Sequence, residues 1–226
     1  MSGAQESGRV DASAHEALRR RALLARGAWL AGAATLPALL GPARALAQDD
    51  GEEGDAQIEA LRRMISAEQA SALAYRQAAE GDVLRGEAKA LAEELRGAED
   101  AHAKAFTAAL EQIGFEAPEA PDSPAGVELL EGFEEADSER KLIGFFVGLE
   151  LQLMSIYLAV TGKLEAEDLR RSAGQVGASH GEHLVAWRLL RGDAPADFFK
   201  GKAGSLDLSE VTQQETAAGD GDENGG

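Results

Sequence analysis

The sequence predicts an all-α protein, a four-helix bundle made of two antiparallel hairpins joined by one long crossover. Three observations point there. The chain is 44% hydrophobic but only 5% aromatic, and its apolar content is mostly Ala and Leu, which lose little side-chain freedom in a helix. β-branched residues never gather into alternating runs, so no segment reads as a strand. Four segments carry apolar side chains at alternating three- and four-residue steps, as a helix with one buried face does.

The first helix is expected over Asp55–Ala79, which contains neither Pro nor Gly; its stripe is Ile58, Leu61, Ile65, Ala72, Tyr75 and Ala79. Glu80-Gly81-Asp82 is a turn signal. The second helix starts near Asp82 or Glu87 and reaches Ile113, with Gly86 and Gly97 as weak points and a stripe of Ala88, Leu95, Phe106, Ala109 and Ile113. Gly114 then stands where a helix C-cap favours glycine. Residues 115–136 hold Pro118, Pro121 and Pro124 and are poor helix material.

A third helix begins near Asp137 or Ser138, either a good N-cap, and runs to Lys163 along Ile143, Phe146, Leu153, Tyr157, Val160 and Leu164. The fourth spans Glu165 to Leu190 along Leu169, Ala173, Val176, Trp187 and Leu190, and Gly192 stops it. Tight turns inside each pair make two hairpins. The link between them, about twenty residues, is long enough to run beside a helix of ~37 Å.

The ends of the chain read differently. Arg19-Arg20-Arg21 precedes an apolar run from Ala28 to Leu40, and Ala45-Leu46-Ala47 is a small-x-small cleavage pattern. Charged region, apolar region and cleavage site in that order make an export signal over residues 1–47. The paired arginines and modest hydrophobicity resemble a twin-arginine signal; a general secretory signal and an uncleaved anchor are the alternatives. Residues 48–54 form an acidic linker, 55–191 the bundle, and 192–226 a disordered acidic tail ending in Gly-Asp-Gly-Asp-Glu-Asn-Gly-Gly. The expected location is therefore periplasmic, extracellular or at the cell envelope.

The formal net charge is −18. Residues 1–47 hold six Arg and three acids, so their removal leaves 16 basic and 37 acidic residues, a net charge of −21. Such a surface repels nucleic acid and anionic lipid headgroups. Neither nucleic acid nor membrane, beyond export, is an expected partner. The chain has no cysteine, which excludes disulfides, thiolate metal sites, iron–sulfur clusters and thiol catalysis.

The stripes are interrupted by polar residues. The first helix reads Leu61, Ile65, Glu68, Ala72; the second Leu95, Glu99, His102, Phe106; the third Phe146, Glu150, Leu153, Tyr157; the fourth Val176, His180, His183, Trp187. Each helix thus places ionisable groups on its buried face near mid-length. An unpaired buried carboxylate is very costly, and a shared metal cluster accounts for all four at once. The halves also repeat: Glu68 precedes Tyr75 by seven residues, as Glu150 precedes Tyr157, and each glutamate is followed some 33 or 34 residues later by a histidine, His102 or His183. Tyr75 and Tyr157 are expected as core residues or hydrogen-bond donors to the cluster, and Trp187 as packing.

Through Glu68, Glu99-Asp100-Ala101-His102, Glu150 and His183, residues 55–191 resemble the exported ferritin-like domain family of the ferritin and rubrerythrin superfamily. The resemblance implies a ferritin-like four-helix bundle holding two iron or manganese ions, with oxygen, peroxide or iron-oxidation chemistry. It makes Glu68 and Glu150 terminal ligands, Glu99 a bridging ligand, and His102 and His183 imidazole ligands. The departure is His180, where the family pattern has a second bridging Glu. Three carboxylates against two divalent ions leave one positive charge, and imidazole cannot bridge as a carboxylate does. His180 then either completes a three-Glu, three-His site or marks a one-ion, asymmetric or decayed one. Glu182 lies on the wrong side of the helix to substitute.

Two functions remain open on the sequence. One is an exported dimetal protein with oxidase- or peroxidase-type chemistry, whose partners are metal ions, a homodimer mate and an unknown electron donor. The other is a non-catalytic helical envelope protein with a degenerate metal site. Nothing in the sequence indicates a cage-forming surface.

Overall fold

A computed structural model describes residues 52–194. The export signal read over 1–47, the first part of the acidic linker and nearly all of the acidic tail lie outside these residues. Among the described residues there are four α-helices, α1 (Glu52–Glu80), α2 (Gly86–Gln112), α3 (Glu139–Val160) and α4 (Glu167–Arg191), with short 3-10 turns at Glu128–Leu130 and Thr161–Lys163 and no strand. Helix α1 begins three residues ahead of the expected Asp55, so part of the segment read as linker is helical.

The helix ends follow local chemistry. Gly114 has φ 91°, and the Gly114 and Phe115 amides return to the Glu111 and Leu110 carbonyls, a Schellman closure of α2. Gly192, φ 90°, closes α4 in the same way, with the Gly192 and Asp193 amides on Leu189 and Arg188. Gly86, the first residue of α2, itself has φ 50°, a left-handed conformation that glycine enters cheaply. Ser138 takes the N-cap position of α3, but its side chain makes no capping bond.

Helix α1 packs along α2, and α3 along α4. The two hairpins meet head to tail. The amide of Glu165, in the α3–α4 turn, donates to Gln57 near the start of α1 (2.8 Å). The Arg85 amide, between α1 and α2, donates to Glu139 at the start of α3 (2.9 Å). Helices α1 and α3 are therefore antiparallel, and residues 113–138 must travel the length of the bundle. They do so against α1, where Gln69 donates to the Pro118 carbonyl (3.2 Å), and against α3, where Phe133 meets Phe145 edge-on.

Two apolar clusters fill the interior. One holds Leu73, Tyr75, Leu84, Leu91, Leu95, Ile143, Phe146, Leu153 and Trp187; the other, toward the opposite end, holds Leu61, Ile65, Phe106, Leu110, Tyr157, Val160, Leu169 and Val176. Burying each large aliphatic or aromatic side chain contributes roughly 1.5–3 kcal/mol before chain entropy is subtracted. Residues Glu139–Lys163 are long and apolar enough to cross a bilayer by length and composition. In the bundle, α3 instead turns Phe146, Glu150, Leu153 and Tyr157 into the core and leaves Leu151 and Leu158 exposed.

Candidate metal centre

A polar layer separates the two apolar clusters. Glu68 comes from α1, Glu99 and His102 from α2, Glu150 from α3, and His180 and His183 from α4; none is more than 2% exposed. Side chains three apart share a helix face, which is why α2 and α4 each deliver two. All six residues singled out in the sequence meet here. Glu182 is exposed, as its position on the helix requires.

The six form two overlapping tetrads in which one ligand atom per residue lies within 4.8 Å of all the others. One is Glu68, Glu99, His102 and His180; the other is Glu99, Glu150, His180 and His183. Glu99 and His180 belong to both. His102 Nδ1 is 3.3 Å from Glu68 Oε2 and 3.4 Å from Glu99 Oε2. His180 turns Nε2 toward Glu68 Oε1 (3.1 Å) and Nδ1 toward Glu150 Oε2 (2.9 Å). His183 Nδ1 lies 3.2 Å from Glu99 Oε1 and 3.5 Å from Glu150 Oε1.

Two tyrosines hold the layer from either side. The Tyr75 hydroxyl donates to Glu150 Oε1 and the Tyr157 hydroxyl to Glu68 Oε1. Trp187, expected only to pack, also donates its indole N–H to the Tyr75 oxygen (3.0 Å). A signal for this was present in the sequence: Trp187 lies four residues after His183, on the same face of α4. Phe146 stacks against the rings of both Tyr75 and Trp187, at 4.5 and 4.7 Å, and those two lie 6.0 Å from each other.

Burial and charge compete across the layer. Burial alone would depress the histidines, but the Glu68 carboxylate lifts His102 to about 9 and the Glu150 carboxylate lifts His183 to about 9. His180, facing Glu99 and Glu68, is also held well above its ordinary value. Burial would raise the acids, yet His183 and His180 bring Glu150 to about 2, and His180 and His102 hold Glu68 low. Glu99 goes the other way, raised by burial and by the neighbouring Glu68 charge. Both tyrosines are raised by burial and then by their glutamates, so each stays a protonated donor.

Residues 56–193 match the family model described as the ferritin-like domain. The chain belongs to the ferritin-like domain family. Comparisons with curated proteins and with solved structures gave no match.

The donor set of this ferritin-like domain fits a cation. Three carboxylates and three imidazoles are ligands suited to iron, manganese or zinc. Glu99 Oε1 and both ring nitrogens of His183 are buried and make no hydrogen bond within the protein. The contacts around His183 are close enough for attraction but lack hydrogen-bond alignment. Buried polar atoms are nearly always satisfied, and an ion among these atoms would satisfy them together.

Proposed function

We propose that the domain binds two metal ions, iron or manganese, among Glu68, Glu99, His102, Glu150, His180 and His183, and works as an oxidase- or peroxidase-type protein outside the cytoplasm. The observation that supports this most is the group of orphaned atoms on Glu99 and His183, at the centre of a layer otherwise lined with ligand-type side chains. Bound ions of this kind supply electron transfer and Lewis acidity toward oxygen or peroxide.

The chain's own contribution is positional. Tyr75 and Tyr157 each hold one oxygen, of Glu150 and Glu68 respectively, which orients each carboxylate for an ion. The apolar clusters on either side keep bulk water from the layer. The three imidazoles must give up protons to bind metal, so loading releases protons. The export reading rests on residues 1–47: paired-lysine replacement of Arg19 and Arg20 should leave precursor in the cytoplasm, and correct processing should begin the mature chain at Gln48.

Metal analysis of the protein purified from its own host, and after anaerobic reconstitution, tests the main reading. Two equivalents of iron or manganese are expected; less than one equivalent of iron, manganese or zinc would sink it. A second reading, a helical envelope protein without chemistry, is favoured by one observation. Each histidine of the layer lies against glutamates, so three protonated histidines balance three carboxylates with no metal at all. A bundle whose melting is indifferent to metal and chelator would support that reading.

A further inference from the structure

His180 stands where the family pattern expects a carboxylate that touches both ions, and its ring is set between the two tetrads. One nitrogen, Nε2, faces Glu68 of the first tetrad at 3.1 Å; the other, Nδ1, faces Glu150 of the second at 2.9 Å. Nδ1 is also 3.9 Å from Glu99 Oε1. The side chain is fully buried, so neither nitrogen is directed at solvent.

We propose that His180 bridges the two metal ions as an imidazolate, with one ring nitrogen bound to each. This rests on the metal-binding reading above. Neutral imidazole offers a single lone pair and cannot link two ions; imidazolate offers two. The bridge forms when the remaining ring N–H bond breaks, its proton passes to solvent, and the freed lone pair makes the second metal–nitrogen bond. No electron changes hands.

Charge balance favours the same species. Glu68, Glu99 and Glu150 carry −3, which leaves two divalent ions one positive charge in excess. An imidazolate brings the total to −4 and makes the layer neutral. In a site with every ligand buried, an uncompensated charge is costly. The substitution of His for Glu therefore preserves the charge of the site and changes its width. A carboxylate's lone pairs converge on two ions, whereas those of the ring diverge. Oxygen-bridged pairs lie ~3.5–4 Å apart. Two metal–nitrogen bonds of ~2 Å with the ring between them separate the ions by about 6 Å. Glu99, common to both tetrads, offers one oxygen to each ion alongside the ring.

The test uses zinc(II) and copper(II) loaded separately into the metal-free mature chain. Stoichiometry is read by elemental analysis, the ion separation by anomalous X-ray diffraction, and the coupling of the copper pair by electron paramagnetic resonance. The expected result is two ions per chain about 6 Å apart, with His180 bound to both and the copper signals coupled through the ring. In His180→Glu the two ions should persist but draw together to ~3.5–4 Å, and His180→Gln should keep one. Two ions at the short separation in the wild type, or His180 bound to only one ion, would overturn the bridge and leave the metal reading standing. Binding of no ion would overturn both. The wild-type separation decides the matter even if a variant fails to fold.

Discussion

Tyr75 grips Glu150, a carboxylate of the other hairpin, and leaves Glu68 of its own helix alone. Tyr157 does the reciprocal for Glu68. The two halves of the chain are thus laced together by their own repeat. The lacing is unequal, because of the two hydroxyls only that of Tyr75 also receives a bond among the described residues, from Trp187.

That inequality separates two otherwise matched substitutions. Tyr157→Phe removes one hydrogen bond to a charged acceptor, a loss of roughly 1.5–3 kcal/mol. Tyr75→Phe removes the same kind of bond and also strands the buried Trp187 N–H, adding roughly 1–3 kcal/mol. Urea unfolding of the metal-free protein should rank Tyr75→Phe as the more damaging. Equal midpoints for the two variants would refute the unequal lacing.

The metal-free protein should be most stable in mildly acidic solution. His102 and His183 stand at about 9 in the fold against an ordinary 6.5. Their stabilisation is complete below about 6.5, declines above it, and is lost as pH rises through about 9. Glu150, at about 2 against 4.5, contributes fully above about 4.5, and that contribution is lost as pH falls through about 2. Glu99, raised by burial, loses stabilisation as pH rises and tilts the optimum toward its acid side. Unfolding free energy followed from pH 3 to 10 should peak between about 4.5 and 6.5; a maximum at alkaline pH would contradict the charge assignments.

Metal should reverse that preference. Protons and cations compete for the same nitrogens, so affinity should rise with pH across the neutral range. A cation present at a hundred times its dissociation constant adds about 2.7 kcal/mol, or roughly 5–10 °C of melting temperature for a domain of this size. Calorimetric melting at pH 7.5 with manganese(II), before and after chelator, checks this. An unchanged transition would count against any native-state metal site.

Two glycines of α4 should answer alanine in opposite senses. A Cβ on Gly177 would lie 3.0 Å from Tyr157 Cβ and 3.4 Å from its Cγ, whereas one on Gly174 meets nothing within 4 Å. Gly177 is what lets α4 approach α3 beside the tyrosine that holds Glu68. Gly177→Ala should destabilise by roughly 1–3 kcal/mol, and Gly174→Ala, in an exposed helix interior, should stabilise by ~0.5–1 kcal/mol. Thermal melts of the two variants suffice, and a stabilised Gly177→Ala would show that the approach is looser than the geometry indicates.

Much of this was legible in the sequence, for definite reasons. Helical periodicity fixes which face a residue occupies, so Glu68, Glu150 and the Glu99/His102 and His180/His183 pairs could be placed on buried seams before any coordinates. Gly114 and Gly192 could be placed because a left-handed cap restricts residue type. Periodicity does not say which helix a side chain reaches toward, and for that reason the crossed pairing of Tyr75 with Glu150 was hidden; the spacing of Trp187 from His183 gave its face but not the Tyr75 oxygen as its acceptor. It also does not give the rotation of a ring about its own bonds, which decides that His180 looks two ways. Ser138 had the composition of a cap and the position of one, yet its side chain caps nothing: residue type permits the bond without compelling it.

The tetrads divide the chain in an informative way. The first takes Glu68, Glu99 and His102 from the leading hairpin and borrows His180 from the trailing one; the second takes Glu150, His180 and His183 from the trailing hairpin and borrows Glu99. Neither half owns a full set of donors. An ion caught by a partly synthesised or partly docked polypeptide would find three grips and an open side, and would leave again. Under the proposed metal binding, durable capture would wait until the long link has brought the halves face to face, and an ion held there would be a record of finished assembly.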